Sequence, residues 1–388
     1  MKDKPIVFFG STETPILKRE YAFAAKFDAI VDRLGIKDAV KKKDVAIKAH
    51  LGYKSNFSAV HPFLLGRLVR AIKEAEGRPY VLDIPKQIQD AYLRGYAENV
   101  IGCPILPTAG IGDRYYVEKE VSYKGVKTLK MGGNVKDADI LIDLAHVKGH
   151  NNSGFGGAMK NLAVGCFTEE SRYAMHDTVN YDPYWNAEKS TDAEALVKAC
   201  PYELIEFKEG ELTVDFGLCN QCMRCVQADK DNCLQINRVN FESFFEIMAI
   251  STNLVLSEVG KENCFYINVA FDMTEYCDCW GFTTGSILPD LGLLGSRDIL
   301  AVDKATLDLL ADKPIIRENV AKNSDINDDP DLHPFARIHG PYKDPYLQVM
   351  YGEKYSLGNP KYEIEDALPL PKIERKTTPK FPKALKIY

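Results

Sequence analysis

Three cysteines of this chain, Cys219, Cys222 and Cys225, are spaced as Cys-x-x-Cys-x-x-Cys. A run this short can place three thiolates around one face of a [4Fe-4S] cluster, and bacterial ferredoxins use the same spacing. In two-cluster ferredoxins the fourth cysteine of a run precedes a proline and binds the other cluster. Cys200-Pro201 matches that dipeptide upstream of the run. We therefore predict one [4Fe-4S] cluster bound by Cys200, Cys219, Cys222 and Cys225.

The segment between Cys200 and Cys219 supports this assignment. Residues 204–207 alternate, 208–211 form a turn and 212–214 return, which predicts the hairpin that separates the two runs of a ferredoxin. No cysteine run precedes Cys200, and Asp229 stands where a second run would place its fourth cysteine, so we predict that Cys233 is not a ligand. Two alternatives stay open. One is zinc, although structural zinc sites usually pair two separated Cys-x-x-Cys knuckles, and the other is a group of thiols without metal.

Composition narrows the class of protein. The chain has 388 residues, of which 45% are hydrophobic and 27% charged, as in globular proteins of two or three domains. Its net charge of -6 argues against nucleic acid or an anionic membrane as the main partner. No stretch approaches the roughly 18 apolar residues of a membrane span, and the short apolar start predicts a first strand rather than a signal peptide. We expect a cytoplasmic protein in which the ten cysteines serve metal binding before disulfides.

Strands and helices alternate along the first 160 residues. Strands are predicted at 45–50, 79–83 and 138–145, and a helix at 62–76. Nearly continuous apolar runs are typical of parallel strands that are covered on both faces. The predicted fold is therefore α/β, with a doubly wound, mostly parallel sheet.

The ferredoxin-like stretch interrupts this pattern, which resumes with a helix at 244–259, a strand at 265–271 and a helix at 298–310. We predict a first part of the α/β domain at 1–190, an iron–sulfur insert at 191–240, and a second part of the α/β domain at 241–312. Prolines, charges and tyrosines dominate from residue 313 to 388, which predicts a mostly irregular tail that wraps over the sheet or is partly disordered.

Polar side chains follow several of the predicted strands. Because the carboxyl ends of parallel strands share one edge of a sheet, where ligands bind, we expect these side chains to converge. A strand-end histidine is structural more often than catalytic, and it is the coincidence at several strands that points to a site. The residues are Lys48, His50, Asp83, His146, Lys148, His150, Asp272 and the triplet Cys277-Asp278-Cys279.

A glycine-rich loop at 151–161 leaves the same edge and enters a helix. Gly154, Gly156 and Gly157 would let the backbone approach an anion, and the helix N-terminus, Asn161 and Lys160 would add N–H groups and charge. The spacing is neither a Walker loop nor a dinucleotide fingerprint. Carboxylate or phosphate capture is one interpretation, and a tight turn with close helix packing is the other.

Cys277 and Cys279 can chelate a metal or contribute to a second cluster. Two thiolates are too few alone, and Cys264, Cys166, His50 or His150 would have to complete the set. Buried thiols beside a turn are the alternative.

Several segments resemble an uncharacterised family catalogued as a domain of unknown function, number 362, whose members often carry ferredoxin modules. They are Lys48–Gly52, VKGHNNSGFGGAMKNLAVGC at 147–166, the stretch at 271–310 that begins FDMTEYCDCWGF, and LGNPKYEI at 357–364. The resemblance implies a redox-active iron–sulfur protein with its site at the strand ends. It supplies no reaction, and the single run of cysteines departs from the two-cluster modules.

These observations predict an oxidoreductase in which the cluster passes electrons between an external protein and a small, anionic molecule at the strand ends. Lys48, His50, His150 and Lys160 are the expected substrate contacts or proton donors, because histidine titrates near neutral pH. Two alternatives remain: an electron carrier or metallocentre-assembly protein without turnover, and a non-redox enzyme with a structural or Lewis-acidic cluster. The sequence does not decide the oligomeric state, for which a homodimer is one option.

Overall fold

The computed structural model describes residues 4–373. Its strands are β1 (Ile6–Ser11), β2 (Asp44–Ala49), β3 (Arg78–Asp83), β4 (Ile105–Pro107), β5 (Tyr116–Tyr123), β6 (Val126–Gly132), β7 (Ile140–His146), β8 (Lys148–His150), β9 (Gly154–Gly156), β10 (Ile205–Lys208), β11 (Glu211–Val214), β12 (Cys264–Ala270), β13 (Gly292–Ser296) and β14 (Glu363–Asp366).

The α-helices are α1 (Phe23–Arg33), α2 (Ile36–Ala39), α3 (Pro62–Glu74), α4 (Pro85–Ile88), α5 (Glu98–Ile101), α6 (Gly133–Lys136), α7 (Ala158–Gly165), α8 (Glu169–Asp177), α9 (Ala193–Ala199), α10 (Arg224–Ala228), α11 (Arg238–Val259), α12 (Ile299–Leu310), α13 (Pro334–His339) and α14 (Tyr346–Lys354). Within residues 4–373, none of them is both long and apolar enough to cross a membrane.

Eight strands form the central sheet, in the order β14-β1-β13-β12-β7-β2-β3-β4. Strand β13 runs antiparallel to both of its neighbours, β1 and β12. The remaining neighbours pair in parallel. The sheet is thus mixed and mostly parallel, as the apolar runs predict.

Helices cover both faces because successive side chains of a strand point to opposite sides. In β7, Ile142 and Leu144 enter the core that contains α1 and α3. Leu141 and Ala145, on the other face, enter a second core with α7, α11 and α12. All seven residues of β7 are buried, which explains why every position except Asp143 and His146 is apolar.

Residues 204–214 form the predicted hairpin, in which β10 pairs antiparallel with β11. Helix α9 precedes it and α10 follows the cysteine run, and an isolated bridge between Trp185 and Leu234 joins the segment to its flank. Leu212, Val214 and Ile236 belong to the same apolar core as α7 and α11. The segment therefore packs as part of the molecule.

The tail differs from the prediction of an irregular segment. Helices α13 and α14 lie within it, and β14 completes the sheet by pairing in parallel with β1. Buried Phe335 and Leu347 anchor the two helices. The last part of the predicted tail, 374–388, lies outside the described residues.

Candidate functional site

Strands β2, β3 and β7 end side by side, as parallel neighbours must, and their last residues meet at one edge of the sheet. Lys48 Nζ lies 3.2 Å from Asp83 Oδ1, and His50 Nδ1 lies 3.2 Å from Asp83 Oδ2. All three side chains are buried. Burial alone would raise the pKa of Asp83, but Lys48 and His50 lower it below its ordinary value.

A second buried carboxylate, Asp278, organises the neighbouring strand end. His146 Nδ1 lies 2.9 Å from Asp278 Oδ2, and Lys148 Nζ lies 3.3 Å from the same oxygen. Burial opposes the charge of Asp278, yet His146 and Lys148 lower its pKa. Asp278 stands between Cys277 and Cys279, so its ion pairs fix the turn that presents both cysteines.

Cys277 and Cys279 meet His50 at this edge. One potential ligand atom from each of the three residues lies within 4.8 Å of the other two. Lys160 Nζ lies 3.3 Å from Cys277 Sγ. A hydrogen bond from Cys279, together with Lys160, His50 and Lys148, lowers the pKa of Cys277 against the opposing effect of burial. The same hydrogen bond and burial raise the pKa of Cys279, so the pKa values of the two thiols are shifted in opposite directions.

These three side chains could hold a metal ion. Two cysteines and one histidine leave the fourth position of a tetrahedral ion open, as in catalytic zinc sites. His50 Nδ1 is held by Asp83, and a carboxylate on the second ring nitrogen is the usual support of a metal-bound histidine. We refer to Lys48, His50, Asp83, Lys160, Cys277 and Cys279 as the strand-end site.

The strand-end site opens through a small polar cavity of about 20 Å³ into a cleft of about 820 Å³. Gln87, Arg172 and Cys279 line both spaces. Asp215, Phe216 and Gly217, which precede the cysteine run, form part of the cleft wall. The cleft has the size of ordinary small-molecule sites, and it lies between the sheet edge and the predicted iron–sulfur insert.

The glycine loop is closed by the chain itself. Strand β9 pairs with β8, and the carboxylate of Asp303 accepts hydrogen bonds from Ala158 N and Met159 N at 2.8 and 2.9 Å. A Cβ at Gly157 would collide with Asp303, and one at Gly154 would collide with the carbonyl oxygen of Lys343. The first N–H groups of α7, where an anion was expected, are thus bound to a carboxylate of α12.

The other residues predicted around this loop have separate environments. Asn161 Nδ2 donates to Asp143 Oδ1 at 2.6 Å and to the Lys48 carbonyl at 3.2 Å. His150 is fully buried, stacks on Phe244, and accepts at Nδ1 from the backbone of the glycine loop. Burial lowers the pKa of His150 well below its ordinary value. Lys160 alone among the loop's predicted anion ligands reaches Cys277.

The four cysteines assigned to the cluster line one apolar cavity, which we call the cysteine cavity (Cys200, Cys219, Cys222, Cys225). Its remaining wall comes from Tyr202, Leu204, Ile205, Val214, Asn220, Met223 and Ile236. Leu204 N donates to Cys200 Sγ and Gln221 N to Cys219 Sγ, each at 3.4 Å.

Cys233, the fifth cysteine of the segment, is outside the lining of this cavity. Its Sγ lies 3.1 Å from Asp229 Oδ1, and only 2% of the residue is exposed. The structure thus separates Cys233 from the four cysteines that the spacing groups together.

Comparison with known protein families shows which family the chain belongs to. The family described as "Domain of unknown function (DUF362)" matches residues 45–308. The chain belongs to this family. The matched span of this DUF362 protein contains the strand-end site and the cysteine cavity, whereas β1, β14 and the two helices of the tail lie outside it.

No curated protein matches this DUF362 chain. Among solved structures, it is similar to the lactate racemase apoprotein from Thermoanaerobacterium thermosaccharolyticum, with 12% identity and a TM-score of 0.31. The similarity covers 69% of this chain and 51% of that one, so the chain spans about half the length of the racemase.

Three residues near the strand-end site and the cysteine run were not predicted from the sequence. Gln87 and Arg172 follow no recognisable motif, although both lie on helices just beyond predicted site segments. Lys343, from the tail, donates to the carbonyl oxygens of Gly217 and Cys219 at 2.9 and 2.7 Å. A contact between positions so far apart in the chain leaves no local signal in the sequence.

Proposed function

We propose that this DUF362 protein is an iron–sulfur oxidoreductase that acts on a small molecule at the strand-end site. One [4Fe-4S] cluster would be bound by Cys200, Cys219, Cys222 and Cys225. The observation that carries the proposal is the cysteine cavity, because four thiols drawn from two separate segments line one apolar space. The sequence selects the same four, three of them by their spacing and Cys200 by the Cys-Pro dipeptide and the hairpin that follows it.

The cysteine cavity fits a cluster better than a single ion. A tetrahedral zinc ion would need sulfur atoms about 3.8 Å apart. Among residues 4–373, no three of these four sulfurs lie within 4.8 Å of one another, and all ten cysteines are free thiols. The wider spacing supports a polynuclear cluster over zinc.

The backbone of the cysteine run also suits an anionic cluster. Gln221 and Met223 adopt positive φ angles of 58° and 61°, and left-handed residues within a loop turn N–H groups toward its concave side. Gln221 N already donates to Cys219 Sγ. N–H groups directed at cluster sulfurs tune the reduction potential. When bound, the cluster supplies single electrons to the reaction.

At the strand-end site, a second metal would be held by His50, Cys277 and Cys279, a donor set that zinc and iron both accept. Asp83 would orient the His50 ring, and Lys160 would balance the charge of Cys277. Lys48 and Lys160 line the small polar cavity, where they would contact an anionic substrate. His150 lies behind the glycine loop, and we propose no role for it in the reaction.

The cleft supports substrate turnover over electron transfer alone. A pure carrier needs only an exposed cluster, whereas this chain joins the cysteine run to a cleft of about 820 Å³ that reaches Cys279. Cys200, Cys219 and Cys222 are partly exposed, and we propose that an external protein exchanges electrons with the cluster there.

The proposal is tested by anaerobic purification followed by metal and sulfide analysis. We expect about four irons and four sulfides per chain and an electron paramagnetic resonance signal after reduction with dithionite. Cys219→Ser should abolish this signal. Cys233→Ser, the matched control in the same segment, should retain it. Zinc in place of iron, or loss of the cluster in the control but not in Cys219→Ser, would refute the assignment.

A further inference from the structure

The small polar cavity is bordered by four cationic side chains, and three of them have partners within the protein. Lys48 pairs with Asp83, Lys148 with Asp278, and Lys160 with Sγ of Cys277. The fourth is Arg172, whose Nε is buried and has no hydrogen-bond partner among the described residues. Arg172 lines both the cavity and the cleft, so its side chain borders the two spaces.

Gln87 borders the same two spaces and carries a second polar atom without a hydrogen-bond partner within residues 4–373. The residue is only 3% exposed, and its Oε1 is buried without a partner in the part of the chain that is described. Leaving a buried polar group unpaired is unfavourable, and such groups often face a ligand or water. Gln87 belongs to α4 and Arg172 to α8, so two independent elements direct unpaired polar groups toward one space.

We propose that Arg172 and Gln87 bind the carboxylate of a small organic acid, which is the substrate of the site proposed above. A guanidinium presents parallel N–H groups that match the two oxygens of a carboxylate. The unpaired Oε1 of Gln87 accepts rather than donates, so the amide would turn over to direct its NH₂ group at the carboxylate, which exchanges two groups of nearly the same shape. That the bound acid is the substrate rests on the function proposed above. That the site binds a carboxylate rests on Arg172 and Gln87.

The sizes of the two spaces set the orientation of the acid. A cavity of about 20 Å³ holds one or two water-sized groups, which suits a carboxylate head rather than a whole metabolite. The carbon skeleton would extend into the cleft of about 820 Å³. Cys279 lines both spaces, so the atoms next to the carboxylate would lie beside the potential metal ligands.

The experiment is calorimetric titration of the anaerobically purified holoprotein with acetate, butyrate and hexanoate. Inorganic phosphate tests the other oxyanion, and acetamide tests the need for charge. Arg172→Gln should weaken carboxylate binding by roughly 10- to 100-fold, as expected for a lost charged hydrogen bond. Arg172→Lys should recover part of the affinity, and Gln87→Leu should weaken binding by roughly 3- to 10-fold.

Arg114→Gln is the matched control, because Arg114 is exposed and lines neither the cleft nor the small cavity, and it should bind like the parent. Iron content and melting temperature are measured for every variant, so that a folding defect is recognised. Binding that is unchanged in both Arg172→Gln and Gln87→Leu, equal binding of acetamide, or binding of phosphate alone would overturn the inference.

The two proposals fail separately. A protein without a cluster that still binds carboxylates through Arg172 would refute the iron–sulfur oxidoreductase and support the carboxylate site. A protein with a reducible cluster whose carboxylate affinity ignores both Arg172 and Gln87 would do the reverse.

Discussion

The cysteine cavity and the strand-end site use the same side chain in opposite surroundings. In the cysteine cavity the wall is mostly apolar, and burial raises the pKa of Cys219 and raises that of Cys225 to about 11. At the strand ends, a neighbouring thiol and buried lysines lower the pKa of Cys277. Thiols in the first region become thiolates when a metal displaces their protons, whereas the groups around Cys277 already favour its deprotonated form.

This difference separates two chemical tasks. An apolar pocket of cysteines can bind a cluster and shield it from solvent, which suits electron storage. A thiolate among charged groups, beside an open cleft, suits contact with a substrate. Lys343, from the tail, contacts the start of the cysteine run through the carbonyl oxygens of Gly217 and Cys219, and Gly217 also lines the cleft.

The largest expected effect is selective loss of metal. Cys277→Ala combined with Cys279→Ala should remove the second metal while leaving about four irons per chain in the cluster. Cys219→Ser should do the opposite, because the two ligand sets share no residue. Elemental analysis of both proteins, prepared without oxygen, measures the outcome. If the double alanine variant lost the cluster as well, the two regions would not be independent sites.

Removing charge from Asp278 should be the next largest effect. Asp278→Asn leaves His146 and Lys148 without their buried carboxylate, which should lower the free energy of unfolding by about 3–5 kcal/mol. Asp229→Asn, beside the cysteine cavity, is the comparison because that carboxylate is partly exposed, and it should cost about 1 kcal/mol. Denaturant titration gives both values, and equal losses would contradict the electrostatic contrast.

The contact between the tail and the cysteine run depends on the side chain of Lys343. Lys343→Met keeps the length of the side chain but removes the donor to Gly217 and Cys219, so we expect a loss of about 1–3 kcal/mol. The cluster should also be released faster when air is admitted, as measured by the decay of its visible absorption. Lys354→Met, on the exposed end of α14, is the control and should bleach at the parental rate.

The smallest expected effect is a difference in pH dependence. The insert at 191–240 contains no histidine, whereas burial lowers the pKa of His176, beside the strand-end site, to about 4. The neutral ring favours the folded state fully above pH 6.5, and this contribution is lost as the pH falls toward 4, because the unfolded chain binds the proton first.

His176→Gln should therefore lose about 1–2 kcal/mol less than the parent between pH 7 and pH 5. The comparison uses the change with pH in each protein, because loss of the contact between His176 and Phe244 lowers stability at every pH. Parallel curves for the two proteins would refute the assignment of a depressed histidine pKa.

Regular elements of this fold could be predicted because their signals are local. Helix α3 follows apolar residues at helical spacing with Pro62 at its first position, and β12 is apolar at every position except Asn268. Strand β14 has the polar sequence Glu-Ile-Glu-Asp and exists because β1 offers it an unpaired edge. No alternation of apolar and polar residues within the tail predicts such a strand.

The candidate site was predictable to the extent that residues close in sequence supply it. Strand-end polarity pointed to Lys48, His50 and the cysteine pair. The closing of the glycine loop by Asp303 was not predictable, since that carboxylate comes from a helix far along the chain. Arg172 and Gln87 share this limitation, because their significance lies in unpaired atoms that only three-dimensional packing reveals.

Strand β1 also governs the order in which the molecule can be assembled. It leaves the ribosome long before its partners, because Val7 pairs with Ser296 and with Ile364, which are made later. Until then β1 is an apolar segment without a sheet, which exposes it to association with other chains. The cysteine run leaves the ribosome before β13 and β14, so a cluster could be inserted into a chain whose sheet is still incomplete.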